Sequence, residues 1–294
     1  MTDLPRESEF RPTDLPMPGA ATRFAALRIA SVLSRPRVVG LFCIVSLAAA
    51  GWLYLGASAG LSAQADDNWF AVMCRPAITP AGNAGSEILL AFPMWIAMTL
   101  AMMLPSAGPM VLTYSEIAET ALRKGELIVS PLILSAGYLT VWFGFAAVAA
   151  LAQAGLLHVA QAVDLSAFAI PATVGLFLLA GAYQFSTLKS ACLTACQRPF
   201  SFFFMNWTDR PSGVFRLGLR QGLHCLGCCW ALMLLMFGTG AMNIAWMAIL
   251  GAVMVTEKLA TTGRFSRAVG WTLMLTGAGL AGGWAIGWPA IQGG

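Results

Sequence analysis

Seven cysteines are spread unevenly through this chain of 294 residues, and five of them fall in two short groups. The first is Cys192-Leu-Thr-Ala-Cys196, and the second is His224-Cys225-Leu-Gly-Cys228-Cys229-Trp230. On a helix, at about 100° per residue, Cys192 and Cys196 lie about 40° apart on one face. With His224 as origin, Cys228 falls near 40°, Cys225 near 100°, Cys229 near 140° and Met236, two turns deeper, near 120°. The second group therefore carries a stripe of soft sulfur donors, Cys225, Cys229 and Met236, with Cys228 and His224 beside it. Reduced thiols so gathered bind a metal, exchange electrons or merely pack. Zinc takes four tetrahedral Cys or His ligands, which these residues can supply. Copper(I) selects thiolate and thioether, so the neighbouring methionine favours copper(I), with zinc as the alternative. The isolated Cys43 and Cys74 read as small buried hydrophobes.

Other residues point towards the same depth. Among 15 methionines, Met94, Met98 and Met102 follow one another at helical spacing between Pro93 and Pro105. Met102 and Met103 sit about ten residues from the cytoplasmic end of their apolar stretch, and Cys225 and Cys228 roughly eight to ten residues into theirs. At 1.5 Å per residue both sets are roughly 12–15 Å deep, so the sequence predicts that they meet. Met233, Met236, Met242 and Met247 extend the thioether series towards the outer face. Lys189 precedes Cys192 by three residues and shares its side of a helix, where a cation balances thiolate charge. Glu257-Lys258 closes another apolar stretch at the same level, either as functional charges or as interfacial ends that snorkel. Asp66, Asp67 and Glu87 read as an ordinary solvated loop.

The elements that must position these residues are membrane helices. The chain is 58% hydrophobic and 10% charged, with mean hydropathy +0.74. A soluble domain carries about 25% charge, so an ordinary soluble enzyme, a disordered protein and a nucleic-acid-binding module are all excluded. A spanning helix needs about 20 apolar residues. Candidate spans cover 38–59, 88–113, 129–153, 169–187, 218–240, 243–259 and 268–290. Of 17 Lys and Arg, all but Arg75 fall in the N-terminal tail or in alternate loops. The positive-inside rule then predicts an all-α polytopic bundle of about seven spans, N-in and C-out. Residues 1–36 form a cytoplasmic tail with a basic amphipathic stretch at 20–34, and 37–294 the transmembrane domain. Both cysteine groups then face the cytoplasmic side, where thiols stay reduced. There is no Gly-rich phosphate loop, no HExxH and no CxxCH, and His158 is the one further histidine.

Several runs act together as a signature: Trp95-Ile-Ala-Met98-Thr-Leu-Ala-Met-Met103-Leu-Pro105-Ser106, then Tyr183-Gln184 with Lys189, Cys192, Cys196 and Pro199. Gly222, His224-Cys225, Gly227-Cys228-Cys229-Trp230 and Met233 follow, then Gly240, Met242-Asn243, Trp246-Met247 and Glu257-Lys258. Over about residues 88–260 the chain resembles an uncharacterised bacterial family of predicted metal-binding integral membrane proteins. The resemblance implies a multi-span inner-membrane protein with a cysteine-rich metal site, and adds Pro105, Tyr183, Lys189 and Glu257 to the residues of interest.

The expectation is therefore a membrane protein that handles a soft metal, by transport, delivery or insertion. Its ligands would be drawn from Cys192, Cys196, Cys225, Cys228, Cys229, His224, Met102, Met103 and Met236, with Lys189, Glu257 and Tyr183 around them. Its partners would be the lipid bilayer and a metal donor or acceptor protein, with no nucleic acid. The alternatives are a membrane thiol-redox protein using Cys225 and Cys228, and a non-catalytic scaffold. A non-haem oxidase lacks the histidines and buried carboxylates it needs.

Overall fold

The computed structural model describes residues 36–62, 84–125, 129–162, 166–239, 244–260 and 262–287. Among these the regular structure is entirely helical, in nine helices. They are α1 (Pro36–Ser62), α2 (Ala84–Arg123), α3 (Pro131–Ala162), α4 (Ser166–Tyr183), α5 (Thr187–Gln197), α6 (Pro199–Met205), α7 (Pro211–Thr239), α8 (Ile244–Leu259) and α9 (Arg264–Ala285). The tail with its stretch at 20–34, Asp66, Asp67, Cys74, Met242 and residues 288–290 of the last expected span lie outside the described residues. The side chain of Glu87 does too.

Each of the seven expected stretches falls on helix over most of its described residues, 169–187 being interrupted at 184–186, but they do not all meet the demands of a span. Four helices, α1, α2, α3 and α7, are long and apolar enough to cross a membrane. A fifth span exists if α4 and α5, bent by 64° at their junction, count as one. Helix α8 has only 16 residues, and α9 is diluted by glycine and threonine and opens with Arg264 and Arg267. The helices present large apolar side chains outwards, Leu53 at 73% and Leu89 at 75% exposure, as lipid-facing surfaces do.

The bundle is organised around α2 and α7. Helix α1 packs along α2, α3 along α7, α9 along α4, and α2 also meets α3, α8 and α6. Small residues permit the closest approaches. A Cβ on Gly218 of α7 would run into the Leu134 carbonyl and lie 3.0 Å from Tyr138 N, and one on Gly137 of α3 would lie 3.0 Å from Leu219 N. Trp95, fully buried, donates to Gln153 Oε1 at 2.7 Å and stacks on Phe237 with ring centroids 5.1 Å apart, so α2, α3 and α7 share one aromatic layer.

Local chemistry sets the breaks. Pro93, Pro105 and Pro109 lie inside α2; each lacks an N–H, so the carbonyls four residues earlier are released from the helix ladder. Ser186 caps α5, its side chain accepting from Lys189 N at 3.1 Å, which restarts the chain as a helix just beyond the bend. Pro199 cannot continue α5 and stands instead in the first turn of α6.

Candidate metal centre

The thiols converge where α5, α7, α8 and the proline-bearing middle of α2 meet. Cys225, Cys228 and Cys229 are buried on α7, while Cys192 and Cys196 on α5 are half-buried. Cys196 is a neighbour of both Cys225 and Cys228, and Cys192 of Cys228. Helix α5 comes this close because residue 227 has no side chain: a Cβ there would lie 2.7 Å from Cys192 Sγ. Gly227 also receives the Tyr183 hydroxyl on its carbonyl at 2.5 Å, and the Tyr183 ring stands edge-on to Trp230. The six cysteines among the described residues form no disulfide.

Cys225 is the best-connected sulfur. Lys258 Nζ donates to its Sγ at 2.8 Å, and the Tyr138 hydroxyl lies 3.1 Å away. Lys258 also donates to Ser106 Oγ at 2.6 Å, and Ser106 in turn to the Met103 carbonyl at 2.7 Å. Tyr138 reaches the same carbonyl at 3.2 Å. Cys228 and Cys229 turn back onto the Cys225 carbonyl at 3.1 and 2.9 Å, the ordinary satisfaction of a thiol within a helix. Cys229 also meets Met103 Sδ at 4.0 Å, so a thioether of α2 does reach the thiols of α7, though at Cys229 rather than at the expected Cys225 or Cys228.

A second polar cluster braces the first. Lys189 donates to both oxygens of Glu257 at 3.0 and 2.8 Å, with side chains only 1% and 3% exposed. Ser266 Oγ lies 3.0 Å from Glu257 Oε1 and 3.0 Å from Gln184 Oε1. A hydroxyl has one proton, and the carboxylate takes it. The Gln184 Nε2 has no partner, so turning this amide over lets Nε2 donate to Ser266 and satisfies the contact. Gln197 donates to the carbonyls of Glu257 and Ala260 at 2.8 and 2.6 Å. The cysteine-bearing α5 is thereby fastened to the end of α8.

The expected residues divide accordingly. Cys196, Cys225, Cys228, Cys229 and Met103 come together, with Cys192 at the edge. Met102 is buried against Gly251 of α8 instead, 3.5 Å from where a Cβ would stand. Met236 is buried deeper in α7, and the described contacts do not bring it to the thiols. His224 turns away, its Nδ1 2.6 Å from the Arg220 carbonyl and its ring against Phe202. Tyr138, Ser106 and the inward turn of Lys258 were not anticipated. Tyr138 carried a faint signal, a hydroxyl in the middle of an otherwise apolar stretch.

The donors are chemically soft, all thiol and thioether, as a copper(I) site requires. They do not form a ready-made cage: among the described residues no group of three or more His, Cys, Asp or Glu side chains is disposed to hold a metal ion. Nothing among the described residues supports the four-ligand zinc alternative.

Residues 92–280 match the family model PpoB2, described as a copper chaperone. The match spans more than half of the chain, which therefore belongs to that family. No curated protein and no solved structure matches.

Proposed function

We propose that this member of the copper chaperone family is an integral membrane protein, seated in the inner membrane, that holds copper(I) as cargo on thiolates in the cytoplasmic half of its helix bundle. Cys225 is the principal ligand, completed by Cys196 or Cys228, with Cys229 and Met103 close by for transfer. The observation that carries this reading is Cys225 itself: a buried thiol with other cysteines as neighbours and an ammonium 2.8 Å from its sulfur. Thiols shed protons when they bind metal, and burial among apolar helices keeps water and competing ligands away. Tyr138 and Ser106 hold the sulfur and the lysine in place. The Lys189–Glu257 pair and Gln197 keep α5, with Cys192 and Cys196, against α7 and α8. Delivery requires a donor or acceptor protein, and the half-buried cysteines of α5 are the natural exchange points.

A thiol-redox role has one observation in its favour, since a lysine beside a cysteine also activates a nucleophile. Cys225 is only 2% exposed, however, and a mixed disulfide needs the partner sulfur to reach it. Elemental mass spectrometry on protein purified from copper-supplemented cells separates the readings. About one copper per chain is expected, and its loss in the Cys225→Ser/Cys228→Ser variant. A metal-free wild-type protein that yields a trapped mixed disulfide in cells would instead establish the redox role.

A further inference from the structure

Two buried lysines, Lys189 and Lys258, reach into the same end of the bundle, and they are not equivalent. Lys189 is neutralised by both oxygens of Glu257. Lys258, 8% exposed, faces Cys225 Sγ, Ser106 Oγ and the Tyr138 hydroxyl, with no carboxylate among these neighbours. A lone ammonium among apolar helices is costly, so its counter-charge has to come from sulfur.

We infer that Lys258 selects the charge of the cargo, making the Cys225 site a receptor for a monovalent metal held by two thiolates. The inference rests on the copper reading above and refines it. One Cu⁺ held by the sulfur that already balances Lys258 and by a second thiol, whose single proton is released to water, gives a bis-thiolate complex of charge −1. The Lys258 ammonium beside Cys225 brings the total to zero. A divalent ion on the same two thiolates is already neutral and leaves the ammonium unpaired. Three thiolates around zinc would also balance one lysine, and the zinc count in the test below separates that outcome from two thiolates around copper. Ser106 serves this arrangement by fixing Nζ: it accepts from Lys258 and donates to Met103, and so holds the ammonium against the sulfur.

The full-length protein in detergent, loaded anaerobically with equal Cu(I) and Zn(II) against a competing chelator, provides the test, with bound metal counted by elemental mass spectrometry. Wild type is expected to take copper almost alone. Lys258→Met is expected to weaken Cu(I) binding by at least ~30-fold, as truncation of one partner of a buried charge pair does, and to lower the copper-to-zinc ratio. Lys258→Arg keeps the charge and is expected to keep that ratio within about twofold. A Lys258→Met protein with the wild-type ratio overturns the inference while leaving the copper reading intact. So does a folded Lys258→Arg protein that loses its preference for copper, and this arm still decides the matter if Lys258→Met does not fold. A wild-type protein that takes neither metal removes both.

Discussion

Neither charge of the Lys189–Glu257 pair could remain where it is without the other. Both side chains are almost completely enclosed, and the carboxylate is further held by Ser266. Removing one partner leaves an uncompensated buried charge, which costs about 3–5 kcal/mol, whereas replacing both is far milder. Thermal unfolding in detergent should therefore show Lys189→Met and Glu257→Gln each strongly destabilised, with the double variant more stable than either. Equal stability of all three would mean that the pair is solvated and contributes little. The residues of this cluster were legible to different degrees. The cysteines announced themselves by type and by helical spacing, and Lys189 by its distance from Cys192. The pairing of Lys189 with Glu257, and of Lys258 with Cys225, was not legible. It depends on how α8 is rotated about its axis when it meets α2 and α5, and adjacent residues of one helix point in directions about 100° apart.

At the scale of elements, the site depends on how closely α3 approaches α7. Tyr138 reaches Cys225 only because Gly137 and Gly218 let the two backbones touch. A side chain on Gly218 must push α3 outwards and carry Tyr138 with it. We expect Gly218→Val to lose about 1–3 kcal/mol through overpacking and to bind less copper. Gly56 on α1 has nothing within 4 Å of its would-be Cβ, so Gly56→Ala is expected to be neutral or slightly stabilising by about 0.5–1 kcal/mol. Parallel unfolding curves and metal counts on the two variants check both statements. The apolar runs predicted the helices well, since burial in lipid requires long uninterrupted hydrophobicity. The 64° bend was harder to read. Its cause is local, a short Gln184–Ser186 break closed by the Ser186 cap, yet the same residues are equally consistent with a loop leaving the membrane.

For the whole molecule, the number of helices that cross the bilayer governs which side the thiols serve. Length and apolarity secure four spans, or five with the bent pair; α8 and α9 fall short by themselves. The placement of charge supplies a separate argument. Arg123 ends α2 and Lys124 follows it, Arg198, Arg210, Arg216 and Arg220 lie between α5 and the third turn of α7, and Arg264 and Arg267 open α9. These groups share one side when α3 crosses together with the bent α4–α5 pair and α7 crosses together with α8; α9, which follows the last of them, is not tested by them. An α8 of 16 residues is about 24 Å long, somewhat under the hydrocarbon thickness, so crossing would require local thinning of the bilayer. With seven crossings, the N-in and C-out arrangement expected from the charges, the two ends of the chain would lie on opposite sides. A fluorescent-protein fusion at residue 1 should be active in the cytoplasm, and an alkaline phosphatase fusion at residue 294 active outside. Both ends reporting the cytoplasm would remove one of α8 and α9 as a span. A phosphatase active after residue 198 would move Cys192, Cys196 and the Cys225 site to the outer face, and copper would then be handled from the opposite compartment.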